Sequence, residues 1–215
     1  ITERIRRHPD VEAVSMSYCA EPYAATGYTS TLRFNQLYYN NDTIGITAQQ
    51  LKVTPSFFEV FRNRGHNTAA NEALKNSLTP QTIILSENAV ESLTGGKKTI
   101  GETVKIGNDG DLRTIAALST PVRWTEYFKS YPSFYIMMTE ADIEADVRPD
   151  NLANYELCVR ITPGKETGFE DRFMTDMMEQ ATIGNIYLMD VRSSSILRRA
   201  VVAPEESNIL LRSIL

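Results

Sequence analysis

The chain has 215 residues, 22 Lys and Arg against 27 Asp and Glu for a formal net charge of −5, and 42% hydrophobic against 23% charged residues. That length allows one domain or two small lobes and buries roughly 70% of the unfolded surface, so a core can form without covalent staples. The composition excludes wholesale disorder, the acidic balance argues against a duplex nucleic-acid partner, and the longest apolar run, Phe134 to Met138, falls far short of the ~20 residues that span a bilayer.

The opening Ile1-Thr2-Glu3 has neither an initiator methionine nor a charged-then-apolar leader, which reads as a piece of a longer protein. Thr2 to His8 sets Ile5 among Glu3, Arg4, Arg6 and Arg7 before Pro9, and predicts the closing turns of a helix. Val11 to Tyr18 alternates as a half-buried strand does. Glu21 to Asn41, with Pro22, Gly27 and the aromatics Tyr23, Tyr28, Phe34, Tyr38 and Tyr39, reads as a long excursion holding an edge strand. Ile44 to Val53 alternates again, and Thr54-Pro55 opens a helix over Ser56 to Phe61 with Pro55 at its first position.

Arg62 to Gln81 is polar with little periodicity and marks a first boundary. Thr82 to Leu85 reads as a short buried strand, and Ser86 as the N-cap of a helix through Leu93 that Gly95-Gly96 stops. Ile100 to Ile106 and Arg113 to Leu118 flank Gly107-Asn108-Asp109-Gly110-Asp111, a hairpin. The aromatic stretch Trp124 to Tyr135 runs into a strand over Phe134 to Met138, and the acidic, polar Thr139 to Asn154 marks a second boundary. Tyr155 to Ile161 is a strand. Thr167 to Ala181 is a helix with Phe169, Phe173, Met177 and Ala181 on one face, and Ile186 to Val191 completes a βαβ-like unit. Pro204 to Leu215 begins a further helix.

Catalytic patterns are weak. His8 and His66 read as solvated, and neither belongs to a metal-binding spacing. Gly95-Gly96-Lys97-Lys98-Thr99 follows a helix instead of joining a strand to one, so it is a C-cap and not a phosphate loop. No Gly-x-Ser-x-Gly elbow occurs. The acids Glu140 and Asp142, and Glu170 and Asp171, suit solvated surfaces. No catalytic, metal or cofactor residue is assigned. Cys19 and Cys158 lack a Cys-x-x-Cys spacing and are expected as two free thiols. Met137, Met138, Met174, Met177 and Met178 read mostly as core filler. The candidate partner contact is aromatic: Trp124, Tyr127, Phe128 and Tyr131, whose rings are apolar with polar tips on Trp and Tyr.

Three blocks carry a family resemblance. Val53-Thr54-Pro55-Ser56-Phe57-Phe58-Glu59-Val60-Phe61, Thr82-Ile83-Ile84-Leu85-Ser86-Glu87-Asn88-Ala89 and Ile100-Gly101-Glu102-Thr103-Val104-Lys105-Ile106 resemble, in order and spacing, segments of the periplasmic core domain of MacB-like and FtsX-like ABC transporter permeases. Ala116-Ala117 stand where that family usually has glycine. The resemblance implies an α+β fold of two lobes. A βαβ-containing porter-like lobe would comprise residues 1–61 and 139–215, with a β-rich lobe, 62–138, inserted into it.

The resemblance also implies a place between the first and second membrane helices, on the extracytoplasmic (periplasmic) face of the cytoplasmic membrane, and no enzymatic activity. ATP hydrolysis by a cytoplasmic ATPase subunit would move the missing membrane helices. This domain would pass the motion to a periplasmic or envelope partner, or to a peptide or lipoprotein cargo. On its own it is expected to be a monomer, with Ile5, Ile209 and Leu210 packing on the first lobe and its two ends close together. An envelope hydrolase and a ligand-sensing domain are the alternatives.

Overall fold

The computed structural model describes residues 2–18, 20, 32–39, 44–62, 68–97, 99–107, 110–123, 129–146 and 154–180, with short pieces within 193–203. Strands and helices are mixed in one continuous eight-stranded sheet.

The helix α1, Thr2–Arg6, leads through a tight turn into β1, Val11–Tyr18, the predicted strand with its predicted bounds. β8, Tyr155–Ile161, also as predicted, runs antiparallel to β1 along its whole length, with a bulge near Ala13. α1 lays Ile5 on β1. The helix α6, Phe169–Gln180, adds Phe169 and Phe173, and these close a small core with Val14 against which Met177 packs. The predicted one-face spacing of Phe169, Phe173 and Met177 is therefore the packing face. Ala181, the strand expected at Ile186 to Val191 and the tail from Pro204 lie outside the described residues, as do Ile1 and Cys19. Cys158 sits half-buried in β8 opposite Ser15.

Six further strands close on themselves. β2, Phe34–Tyr39, is the strand expected inside the long excursion, but it is not an edge: one side pairs with β3, Ile44–Val53, and the other with β5, Thr103–Ile106. β5 forms the predicted hairpin with β6, Leu112–Ser119. β6 runs parallel to β4, Thr82–Ser86. β4 is antiparallel to β7, Ser133–Met137, and β7 returns parallel to β3. The ring thus reads β3-β2-β5-β6-β4-β7 and back to β3, and β1 joins it where Ser17 and Tyr18 meet Val53 and Lys52. Its hydrogen bonds cross the position between residues 61 and 62, through the β2–β5 and β3–β7 pairings. A register shift between β4 and β6 places Ala116 in a bulge, at the Ala-Ala pair where the resembling family has glycine.

Alternation sorts the ring's side chains into two cores. Ile83, Leu85, Val104, Ile115, Phe134 and Ile136 face inward with Leu37 and Ala48, and α4, Glu87–Thr94, adds Ala89, Val90 and Leu93 to the same cluster. Ile84, Leu51, Val53 and Tyr135 face outward under α2, Phe57–Val60, which supplies Phe57 and Phe58, and under α3, Thr68–Ser77, which supplies Leu74. Two expected loops contain helices: α3 lies in the polar stretch 62–81, and α5, Glu140–Asp146, lies in the acidic stretch 139–154. Pro55 precedes the helix it was expected to open, since Ser56 is the N-cap of α2. Met138 is core filler at 2% exposure.

Gly95 ends α4 in the left-handed region at φ 65°, as a C′ glycine should. Ser86 stands at the N-cap of α4, but its side chain does not cap. Its hydroxyl donates to Ser133 O and accepts from Ser133 N–H, each at 2.8 Å, and so ties β4 to the start of β7. Ser86→Ala would leave two buried backbone groups unpaired, and we expect a loss of about 2 kcal/mol in urea unfolding. A change below experimental error would show that Ser133 is satisfied otherwise.

Candidate functional site

The turn between α1 and β1 is clamped to α6. His8 N–H bonds back to Ile5 O at 3.0 Å, and Pro9 forces the chain out of the helix. His8 is 7% exposed, which corrects the expectation of a solvated ring. The cause is distant in sequence, for Phe169 and Phe173 bring their rings within 5.9 and 5.5 Å of the imidazole. Its Nδ1 accepts Asp10 N–H at 3.1 Å, so in this arrangement the proton belongs on Nε2, which lies 3.0 Å from Asp176 Oδ2, close enough to attract though not aligned as a hydrogen bond. His66 lies outside the described residues.

Asp10 is held from the same helix. Arg172 donates through Nε and Nη2 to Asp10 Oδ2 at 3.1 and 2.9 Å, and its remaining donors reach Thr167 O at 2.6 Å and Lys165 O at 2.8 Å. Asp10 O accepts Thr162 N–H at 2.9 Å. One guanidinium therefore fixes α6, the loop that precedes it and the start of β1. Arg is suited to this because its planar fork offers five donors in fixed directions.

The ring has a cleft of about 490 Å³ at one mouth. Ile106 and Ile136 form its apolar floor, while Lys52, Asp111, Arg113 and Asp142 stand on its rim. Arg113 is engaged with Asp111 at 3.3 Å and with Pro80 O. Asp142 belongs to a reciprocal cap of α5: its Oδ2 accepts Thr139 N–H at 2.8 Å and the Thr139 hydroxyl at 2.7 Å, and Thr139 Oγ1 accepts Asp142 N–H at 3.1 Å. The Thr139 hydroxyl and then its N–H hold the carboxyl below its ordinary value of 3.8, with Lys52 and Arg113 adding to the effect against a small opposing desolvation. A carboxyl lowered on folding stabilises above its unfolded pKa, and that contribution fades as pH falls through the folded value. We expect an NMR titration of Asp142 to show a midpoint below 3.8, and Thr139→Val to move it upward. An unmoved midpoint would remove Thr139 as the cause.

Of the four aromatic contact candidates, Trp124, Tyr127 and Phe128 lie outside the described residues. Tyr131 is 48% exposed and meets Phe34, 44% exposed, edge to face at 5.2 Å. They approach across β3, because Gln49 N–H bonds to Pro132 O on one side and Gln50 N–H to Arg33 O on the other. Phe34 went unassigned in the sequence, since nothing local signals a partner ring a hundred positions away.

No protein-family profile and no curated protein matches the chain. Among solved structures, a domain assigned to a permease protein from Porphyromonas gingivalis matches with a TM-score of 0.54 at 13% identity, over 92% of this chain and 88% of that one. The chain shares its fold with that permease domain. The extracellular domain of the noncanonic ABC-type transporter YknZ from Gram-positive bacteria aligns over 83% of this chain and 82% of that one, at 11% identity and a TM-score of 0.48. The periplasmic region of MacB from Actinobacillus actinomycetemcomitans aligns over 83% and 71%, at the same identity and score. The motif resemblance and the shared permease-domain fold agree. The first motif block is the end of β3 running into α2, the second is β4 running into α4, and the third holds the turn before β5 and β5 itself. Among the described residues no helix is long and apolar enough to cross a membrane.

Proposed function

We propose that the chain is the extracytoplasmic domain of an ABC transporter permease, set between its first and second membrane helices, and that it transmits ATP-driven motion to a periplasmic substrate or partner, with export of peptides or lipoproteins as the process served. The observation that carries this reading is the fold shared with a permease domain over 92% of the chain. A cytoplasmic ATPase subunit is the implied energy source.

The described geometry suits a force path. A displacement of α1 reaches β1 through Ile5, reaches α6 through His8 and Asp10, and enters the ring where Ser17 and Tyr18 pair with Val53 and Lys52. In this reading α1, β1, β8 and α6 belong to the porter-like lobe of residues 1–61 and 139–215, β4 to β7 belong to the inserted lobe of residues 62–138, and β2 and β3 of the first lobe complete the ring. The aromatic set Trp124, Tyr127, Phe128 and Tyr131, extended by Phe34, is the partner contact.

The test is topology in the complete gene product. Cysteines placed at exposed positions such as Ser92 and Leu112 should be labelled by a membrane-impermeant maleimide in intact cells, and the protein should co-purify with an ATPase subunit. Labelling only after lysis would overturn the reading. The 215-residue chain alone should scatter light as a monomer at low micromolar concentration. A stable dimer there would show that it carries its own pairing surface.

A further inference from the structure

The charges at the ring mouth are arranged for a ligand that carries both signs. Along β3 the residues facing the ring interior are Ile46 and Ala48, and the same alternation continues through Gln50 to Lys52, so the last inward position before the mouth is a cation. Lys52 pairs in register with Ile136 of β7, which is inward-facing and 8% exposed. The lysine stem therefore runs along the apolar floor and its ammonium reaches the rim. Asp142 stands on the same rim, fixed through Oδ2 alone by both of its bonds from Thr139.

Among the described residues neither the Lys52 ammonium nor Asp142 Oδ1 makes a hydrogen bond or ion pair. Two opposite charges on one cleft that do not collapse onto each other leave both available, one pinned by a sheet and the other by a helix cap. Arg113 and Asp111, in contrast, already neutralise one another. A cleft of this size, with an apolar floor and a few convergent polar groups, has the character of a small-ligand site.

We propose that this cleft binds a short apolar peptide with free termini, its carboxylate on Lys52, its ammonium on Asp142 and its side chains on Ile106, Ile136 and Met137. An acyl chain with one carboxylate would use Lys52 and leave Asp142 idle. An amine would do the reverse. The site is independent of the permease reading, because it rests only on the mouth of the ring.

The experiment is isothermal titration of the 215-residue chain with dileucine and trileucine, with the same peptides acetylated and amidated, and with dodecanoate. Saturable binding of a free-ended peptide is expected, weakened about tenfold or more by end-capping, by Lys52→Met and by Asp142→Asn, each charge contributing separately. Thermal melts check that both variants fold, and the capped peptides test the same point on the unaltered protein. The proposal is overturned by an absence of saturable binding at millimolar peptide, by capped peptides binding as well as free ones, or by sensitivity to only one of the two substitutions. Dodecanoate binding as tightly as the free peptides would equally overturn it, in favour of an acyl carboxylate site.

Discussion

Phe58→Ala should lower the stability of the domain by about 3–5 kcal/mol, the loss expected when a fully buried aromatic ring is cut back to a methyl group. Phe58 is 1% exposed and rests on Tyr135 at 5.2 Å and on Phe57 at 5.8 Å, between the outer face of the ring and α2. The helix that carries it is only four residues long and is anchored by Phe57 and Phe58 together, so it has little freedom to settle into the vacated space. Tyr135 beneath it is fully buried, and burial pushes its hydroxyl above the ordinary value of 10. A loss of this size is a large part of the 5–15 kcal/mol typical of a domain. Urea unfolding should show an earlier midpoint with an unchanged slope. A shift worth less than about 1 kcal/mol would mean that α2 is a surface ornament and not a lid on the outer core.

Arg172→Met should be the second most damaging of the substitutions considered. It removes both hydrogen bonds that Arg172 donates to Asp10 Oδ2, whose side chain is only 11% exposed, and frees the carbonyls of Thr167 and Lys165. Stranding a buried carboxylate costs about 3–5 kcal/mol in a fully closed site. Arg172 itself is 46% exposed, so water replaces part of what is lost and about 2–3 kcal/mol is the expected size. The discriminating variant is the double one. Asp10→Asn with Arg172→Met removes the stranded charge as well, and should be more stable than Arg172→Met alone. If the two losses simply add, the pair is not coupled, and the clamp between the first turn and α6 rests on Phe169, Phe173 and the approach of His8 to Asp176.

The parts of this fold that were legible from sequence are those whose cause is local. β1 and β8 alternate over their whole length, the β5–β6 hairpin announces itself by its glycine-rich turn, and Gly95 closes α4 where only a left-handed residue fits. α3 escaped because its buried face includes Asn71 next to Leu74, so the apolar stripe that marks a helix is interrupted by an amide. α5 escaped for the opposite reason: Thr139 and Asp142 have the spacing of a reciprocal cap, but no apolar run follows to show a helix beginning. Ring closure could not be seen at all. β2 meets β5 across some sixty positions, and nothing in Phe34 to Tyr39 states that both of its sides are occupied. The site divides in the same way. Tyr131 was legible as an exposed aromatic, whereas the burial of His8 depends on rings more than 160 positions away and contradicts the polar residues beside it.

The closed ring also restricts how anything can attach to it. Each of its six strands has a neighbour on both sides among the described residues, so the ring offers no full-length edge strand to an incoming chain. β8, at the end of the sheet order, pairs with β1 alone among the described residues, but β-augmentation of the ring itself would have to displace an existing pairing. Recognition at the ring must therefore be made by side chains, either on its outer faces or at its mouth, and sequence specificity there can change without altering the barrel that presents it.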